Sequence, residues 1–329
     1  MFDQLAGLAA TNLSSPVVLF FAVGVLAALA RSDLTIPDAF AKGLTIYLML
    51  AIGFKGGVAV AKNGLTWDFI AVAAAGIAIG VFIPFIAFGL IRATSSLDRI
   101  SAAAVAAHYG SVSIVTFVAA SALLNSLEIE YAGFMVAVTA LMETPAIIAG
   151  LWLANTGGKR SEADRSFVSR ELMREVLLNG SVVLLMGAFA VGVISGKPGM
   201  DMIGPVVDTA FRGILCIFML DMGLLAGRRL LSKTQLSPAL IAFALYMPLI
   251  GAALGFAASL AIGLPAGTGM LLMTLCASSS YIAVPAAMRI ALPEANPAVY
   301  LTLSLAITFP FNLTIGLPLY FFAANSLLP

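Results

Sequence analysis

Runs of apolar residues long enough to cross a membrane recur along the whole chain, and no long polar block separates them. A bilayer core needs roughly 20 apolar residues per helix, and helices and closed barrels are the only structures that satisfy their backbone groups there. Only 10% of the residues are charged and the mean hydropathy is +1.06, whereas soluble domains have about 25% charged residues. We therefore predict an all-α integral membrane protein without a sizeable soluble domain.

The apolar runs predict ten transmembrane helices. We place them near 14–30, 38–61, 68–92, 98–124, 132–153, 178–195, 205–227, 236–262, 266–290 and 298–325. Cytoplasmic loops are enriched in Lys and Arg. With the N-terminus outside, the outer loops contain only Lys62 and Lys197. The inner loops contain thirteen basic residues: Arg31, Lys42, Arg92, Arg99, Lys159, Arg160, Arg165, Arg170, Arg174, Arg228, Arg229, Lys233 and Arg289. We therefore expect a multi-pass protein with both termini on the outer side.

Similar segments recur in the same order in the two halves of the chain. "VGV" at 23–25 is repeated at 191–193, and "HYGSVSIVTFVAA" at 108–120 corresponds to "ASSSYIAVPAAMR" at 277–289. Gly53 pairs with Gly223, and the "ETP" that begins at Glu143 pairs with a later "TFP". Such self-similarity indicates a duplication. Since each half has five spans, an odd number, the second half must be inverted, as in secondary transporters.

This duplication divides the chain into three parts. Residues 1–154 form the first five-helix repeat, 155–177 a cytoplasmic connector, and 178–329 the second, inverted five-helix repeat. The connector sequence "TGGKRSEADRSFVSRELMREVLL" is typical of a solvated amphipathic linker, with a regulatory partner site as the alternative.

The fourth span of each half contains small polar residues, "YGSVS" in the first half and "ASSSY" in the second. A helix broken at membrane depth survives only where protein or a water-filled cavity covers it, and matched breaks indicate a transport site. In the topology above, two helix N-termini converge there and favour a small anion. Alternatively, the serines bond to their own helix or permit close helix packing.

Charged side chains within the spans are costly and usually face a cavity or a partner. Lys55 and Asp221 lie at related depths of the two halves, where they could contact a substrate, pair with other charges or extend to the interface. Oxygen atoms near the breaks suit sodium or a proton. The candidate ligands are Glu143, Thr116, Thr308 and Asn312.

The single histidine, His108, could bind a ligand, relay a proton or only satisfy a neighbouring helix. Together with Ser111 it resembles a hydrolase pair, but the two residues are close together around a chain break and no second histidine exists. We therefore predict no enzymatic activity. Cys216 and Cys276 lie in apolar runs and indicate neither a disulfide framework nor a metal cluster. The net charge of +1 indicates no nucleic acid partner, and the N-terminus lacks the pattern of a cleaved signal.

Four segments of the chain contain recognisable motifs. They are "IPDAFAKGLTIYLMLAIGFKGGVAV", "AAHYGSVSIVTFVAA", "METPAIIAGLWLA" and "CASSSYIAVPAAMRIALPEANPAVYLTLSLAITFPFN". In these segments the chain resembles the cyanobacterial-type sodium-dependent bicarbonate transporter family. The resemblance implies a homotrimer of ten-span subunits in a bacterial plasma (inner) membrane. Each subunit would have a core domain and a gate domain and would import bicarbonate with sodium by an elevator-type movement. It also implies the bicarbonate-binding residues Gly110, Ser111, Val112, Ser113, Ser278, Ser279, Ser280 and Tyr281.

Sodium is then the coupling ion, and no organic cofactor is expected. The chain differs from the family in its short connector, which puts regulation by a PII-like signalling protein in doubt. Two other functions stay open: a sodium- or proton-coupled carrier of another small monoanion, and a passive anion channel.

Overall fold

The computed structural model describes residues 10–64, 66–156, 180–232 and 236–329, together with positions 7, 174 and 178. The described residues form helices and no strands, which confirms the all-α prediction. Most of the connector predicted at 155–177 lies outside the described residues.

Among the described residues, seven stretches are long and apolar enough to cross a membrane. They are Asp38–Lys62, Trp67–Thr94, Arg99–Ser126, Met135–Ala154, Val182–Leu231, Pro238–Ile262 and Pro297–Leu327. Two apolar helices, Pro16–Leu29 and Ala266–Ala277, are shorter.

We number the helical segments of the described part in chain order. They are α1 Pro16–Leu29, α2 Asp38–Asn63, α3 Trp67–Thr94, α4 Arg99–Gly110, α5 Ile114–Ser126, α6 Met135–Asn155, α7 Gly180–Gly204, α8 Phe211–Leu231, α9 Pro238–Ile262, α10 Ala266–Ala277, α11 Ala283–Ala291 and α12 Pro297–Leu327. Within α12 the backbone widens into π turns at Thr302–Thr308 and Asn312–Gly316. Such turns often occur at functional sites.

Local sequence signals set several of these helix boundaries. The Asp98 carboxylate accepts a hydrogen bond of 2.9 Å from the Ser101 N–H at the start of α4. Ser237 caps α9 in the same way, and Pro238 follows it at the first helical position. At the other end of α9, Gly263 has a φ of 77°, a left-handed conformation that favours glycine.

The sixth predicted span ended at residue 195, whereas α7 continues to Gly204. The helix is interrupted at Gly196, which has a φ of 52°, so the predicted boundary coincides with a kink. A π turn at Pro205–Thr209 then leads into α8. The seventh span was predicted from 205, but its regular α-helix begins only at Phe211.

The helices pack in two groups. The first group contains α1, α2, α7 and α8, and its main contacts are α1 with α8 and α2 with α7. The second group contains α3 to α6 and α9 to α12, in which α3 packs on α4 and α6 while α9 packs on α10. The groups meet chiefly where α8 contacts α12 and where α6 contacts α2 and α7.

Glycines permit close backbone contact within the first group. A Cβ atom added to Gly24 of α1 would lie 3.0 Å from the Cα of Gly223 in α8. A Cβ atom on Gly192 of α7 would likewise lie 3.0 Å from the Val58 nitrogen in α2, and one on Gly57 would lie 2.8 Å from the Val193 nitrogen. Both crossings therefore need glycine for their short helix separation.

Candidate functional site

The helix of the fourth predicted span is interrupted at residues 111–113. Helix α4 ends at Gly110 and α5 begins at Ile114, and the residues between them have extended backbone at Ser111 and Ser113. The ninth span is interrupted in the same way, since α10 ends at Ala277 and α11 begins at 283. Nearly all residues around both breaks are buried. The surrounding protein therefore covers the non-helical backbone, as membrane depth requires.

The two interruptions bond directly to each other. The Ser113 N–H donates to the Ser278 hydroxyl oxygen at 2.8 Å. The Ser280 N–H donates to the His108 carbonyl oxygen, also at 2.8 Å. Buried hydrogen bonds of this kind hold both breaks at one point in the interior.

Three of the predicted site serines use their hydroxyls within the protein. Ser113 accepts from the Thr116 N–H at 3.2 Å and so caps α5. Ser280 accepts from the Val284 N–H at 3.4 Å, and Ser278 donates to the Leu275 carbonyl at 2.8 Å. For these side chains, bonding to their own helix is the observed arrangement.

Other polar atoms around the breaks are buried and have no hydrogen-bond partner among the described residues. They are Ser111 Oγ, Ser279 Oγ, Tyr281 Oη, His108 Nε2 and Glu143 Oε2. The Tyr281 hydroxyl lies beside Ser113 without a hydrogen bond of ordinary geometry. Buried polar groups nearly always have a partner, so this concentration of unpaired atoms indicates the position of a ligand or of ordered water.

A small cavity lies where the two interruptions meet. It is lined by Met49 of α2, by Glu143 of α6, and by residues of both breaks: Val112, Ser113, Ile114, Ser280, Tyr281 and Ile282. The Glu143 carboxylate and the Tyr281 hydroxyl thus line one cavity and both have an unpaired oxygen. The cavity volume is about 10 Å³, close to the minimum for one water molecule. The site is therefore nearly closed in this structure.

Gly110 and Val112 contribute backbone and shape. A Cβ atom on Gly110 would lie 3.0 Å from the Ala146 side chain and would also collide with Pro84. Glycine therefore lets α4 end in close contact with α3 and α6. Val112, which lies between Ser111 and Ser113 in the sequence, lines the cavity.

The structure separates the predicted sodium ligands into two sets. Glu143 lines the cavity, and the Thr116 N–H lies in the adjacent first turn of α5. Thr308 and Asn312 belong to the π turns of α12, where their side chains donate to the carbonyls of Ala244 and Ala277 at 2.7 and 2.9 Å. Among the described residues, no three His, Cys, Asp or Glu side chains form a metal cluster. Of the four predicted ligands, Glu143 is the only carboxylate, and the other three offer uncharged oxygen atoms.

Two of the other singled-out residues have identifiable roles. His108 is fully buried and its Nδ1 lies 2.6 Å from the Ala104 carbonyl. Its ring also stacks on Tyr300 with centroids 4.3 Å apart, so it contacts a neighbouring helix. Lys55 forms an ion pair with Asp208 at 2.6 Å.

Nothing in the sequence pattern singles out Asp208 as the partner of Lys55. The two residues are 153 positions apart, and only the need of a membrane lysine for an anionic partner could have suggested a search. Met49, which lines the site cavity, was also missed because one apolar residue among many gives no signal.

These features define a multi-pass membrane protein in which two interrupted helices meet at a buried polar site. A sequence model of the Na⁺-dependent bicarbonate transporter superfamily matches residues 16–325, and the chain belongs to that family. None of the curated proteins compared with the chain matches it.

Proposed function

We propose that the chain is a sodium-coupled symporter that imports bicarbonate by an elevator-type alternating-access movement. The observation that carries this proposal is the meeting of two interrupted helices around buried polar atoms that have no partner among the described residues. Membership of a Na⁺-dependent bicarbonate transporter superfamily supports both the anion and the coupling ion.

The chemistry of the site suits a small anion. Helices α5 and α11 both begin at the interruptions, where the Ser113 and Ser280 hydroxyls accept from the Thr116 and Val284 N–H groups. The other N–H groups at the start of a helix have no partner within their own helix. Helix N-termini also have a partial positive charge. The unpaired hydroxyls of Ser111, Ser279 and Tyr281 would complete a set of donors for the three oxygens of bicarbonate. This donor set requires neither arginine nor lysine.

A sodium ion would make the same site compatible with Glu143. The Glu143 carboxylate lines the cavity and would repel an anion, unless a cation lies between the two. Oxygen ligands suit hard cations, and we propose Glu143 and Thr116 as sodium ligands, with Thr308 and Asn312 contributing from the π turns of α12. One sodium would also cancel the electrical cost of anion entry, about 2.3 kcal/mol per 100 mV.

The packing supports ten spans arranged as two inverted repeats. Counting α7 and α8 separately and adding the shorter helices α1 and α10 extends the seven apolar stretches to ten. An inverted repeat would exchange α1 with α7 and α2 with α8, and the contacts α1·α8 and α2·α7 are the pair expected from that exchange. The glycines at these two contacts correspond as well: Gly24 corresponds to Gly192, and Gly223 to Gly57. The sequence comparison paired Gly223 with Gly53, which lies one helical turn before Gly57.

The two helix groups support an elevator-type movement. The interrupted helices and Glu143 belong to the second group, and Met49 of the first group closes the cavity. Movement of the second group past α2 would carry the site across the membrane while the first group stays fixed. In this proposal the first group is the gate domain and the second is the core domain of each subunit of a homotrimer. We place the protein in the bacterial plasma membrane, with both termini outside.

Uptake of labelled bicarbonate into proteoliposomes tests the coupled activity. We expect accumulation under an inward sodium gradient, none when potassium replaces sodium, and loss of uptake in Ser111→Ala. The buffer should be alkaline, because spontaneous entry of carbon dioxide would otherwise mask transport. Equal uptake in sodium and potassium would favour a passive anion channel. No uptake of bicarbonate by folded, inserted protein would instead favour a carrier of another small monoanion.

Distance measurements between spin labels test the elevator movement separately. Val23 of α1 and Phe82 of α3 are exposed and belong to different groups, whereas Phe82 and Leu249 of α9 both belong to the second group. Cysteine labels at Val23 and Phe82 should change their distance when sodium and bicarbonate are added, and labels at Phe82 and Leu249 should not. The native Cys216 and Cys276 are buried. Equal behaviour of both pairs would exclude a rigid-body movement of one group.

A further inference from the structure

A second, larger cavity lies between the two helix groups, and we call it the vestibule. Its volume is about 470 Å³, which is within the range of small-molecule sites. One wall is the face of α2 that presents Ile52, Lys55, Ala59 and Lys62. The opposite wall belongs to α5 and to the segment that follows it.

The vestibule and the site cavity share both walls. On α2, Met49 lines the site and Ile52, one turn further, lines the vestibule. On α5, Ile114 lines the site and Phe117 lines the vestibule. Ile52 is 7% exposed and Phe117 is 1% exposed. Along both helices the lining of the vestibule therefore begins about one helical turn, roughly 5.4 Å, beyond the lining of the site, and we call Ile52 and Phe117 the apolar layer.

Lys55 is the basic residue of the vestibule that lies nearest to this layer. Its ammonium group binds Asp208 at 2.6 Å and lies 5.2 Å from the centroid of the Phe211 ring. Further along α2, Lys62 also lines the vestibule, but Glu128 and Glu130 line it too. Since Asp208 neutralises Lys55 in the ion pair, an ion that reaches the apolar layer meets the positive charge of Lys55 only when Asp208 is displaced.

We propose that Lys55 forms an outer anion-binding site in the vestibule, where an incoming small anion replaces Asp208 as its partner before reaching the interrupted helices. This inference rests on the proposed anion transport. The ligand class is a small monoanion, bicarbonate in the first instance, and binding at Lys55 requires no sodium.

The surroundings of the ion pair make such an exchange feasible. The Asp208 side chain is 60% exposed and that of Lys55 is 26% exposed, and ion pairs that water can reach contribute little net stability. Asp208 lies in the π turn between α7 and α8, so both partners belong to the first helix group. The exchange therefore needs no movement between the groups, and Asp208 can return once the anion has moved on.

Transport kinetics give the first test. Lys55→Gln should raise the bicarbonate KM about tenfold with little change in kcat, whereas Lys55→Arg should keep a KM near the original value. Asp208→Asn removes the competitor and should lower the KM about two- to fivefold. The double variant Lys55→Gln/Asp208→Asn removes both charges of the ion pair, so the net charge around the vestibule is unchanged, and it should match Lys55→Gln. Lys197→Gln is the control, because this exposed lysine does not line the vestibule.

Chemical labelling gives a readout that does not depend on transport. Acetylation of Lys55 by an amine-reactive ester, followed by mass spectrometry, should slow in bicarbonate relative to gluconate, a larger anion. Labelling of Lys197 should not change. Potassium bicarbonate should protect Lys55 as well as sodium bicarbonate does, and protection should persist in Ser111→Ala, which removes an inner-site hydroxyl.

The two readouts separate this inference from the proposed function. If wild-type protein fails to transport bicarbonate, the proposed function fails, but protection of Lys55 still supports the outer site. Protection that requires sodium or disappears in Ser111→Ala would show that the effect originates at the inner site and would overturn the inference. An unchanged KM in Lys55→Gln, or a fall in kcat alone, would overturn it as well.

Discussion

Two buried tyrosines at the breaks provide a matched test of which polar groups serve the ligand. The Tyr109 hydroxyl lies 2.6 Å from Thr308 Oγ1, and it must donate there because Thr308 donates to a carbonyl. The Tyr281 hydroxyl has no hydrogen bond of ordinary geometry among the described residues. Replacement by phenylalanine removes the same oxygen atom in both cases and retains the ring contacts with Phe243 and Phe309.

Tyr109→Phe should mainly lower the stability of the protein, whereas Tyr281→Phe should mainly lower its affinity for bicarbonate. Tyr109→Phe removes a buried hydrogen bond and should lower the free energy of unfolding by about 0.5–1.5 kcal/mol. Tyr281→Phe removes an unpaired buried hydroxyl, so stability should stay the same or rise. If that hydroxyl donates to bicarbonate, its loss costs about 1.5–3 kcal/mol of a hydrogen bond to a charged group. The bicarbonate KM should then rise about 10- to 150-fold.

Thermal unfolding of the detergent-solubilised protein and sodium-driven uptake in proteoliposomes measure the two quantities. The expected pattern is a lower melting temperature with a nearly unchanged KM for Tyr109→Phe, and the reverse for Tyr281→Phe. A Tyr281→Phe variant that is destabilised and transports with normal affinity would refute the assignment of the unpaired hydroxyl to the ligand.

Three further substitutions test the helix crossings, the bond between the breaks and the sodium site. Gly192→Ala forces a Cβ atom against the backbone of α2 and should cost about 1–3 kcal/mol of stability, measured by thermal unfolding. Gly43→Ala is the control, because a Cβ atom there meets no described atom within 4 Å, and it should be neutral or stabilising. Ser278→Ala leaves a buried N–H without its acceptor and should cost about 1–3 kcal/mol, whereas Ser279→Ala, whose hydroxyl is unpaired, should not lower the melting temperature. Glu143→Gln keeps the shape of the side chain but removes its charge. The sodium KM measured by uptake should therefore rise at least about tenfold, which corresponds to a loss of about 1.4 kcal/mol of binding free energy. An unchanged sodium KM would exclude Glu143 as a ligand.

The helices and both interruptions could be predicted from the sequence because each depends on local composition. An apolar run of span length has few alternatives to a helix, and "YGSVS" and "ASSSY" introduce small polar residues where a continuous helix would be expected. Gly196 illustrates the same point, since a predicted span end and an observed kink coincide there. These features therefore follow from short segments of sequence read alone.

Side-chain roles within the site could not be predicted, because they depend on residues far apart in the chain. Ser278 and Ser279 are adjacent and identical in type, yet only Ser278 bonds to the first break. The π turns that position Thr308 and Asn312 leave no clear sequence pattern beyond a nearby proline. Lys55 and its partner Asp208 are likewise far apart in the chain, by 153 positions. Pairings of this kind require the packed structure.

The unpaired groups of the site explain why a transporter of this design would couple its anion to a cation. In the proposed site the helix N-termini and hydroxyls would attract an anion without a net charge of their own, whereas the Glu143 carboxylate, which lines the cavity between the breaks, would repel it. An anion bound alone would therefore leave two negative charges close together in a medium of low dielectric constant. A sodium ion between them removes this repulsion, and the anion in turn stabilises the sodium, so each ion increases the affinity for the other by the same factor. In the proposed mechanism, coupling follows from the placement of one buried carboxylate, and loss of its charge should weaken the mutual dependence of the two ions as well as sodium binding itself.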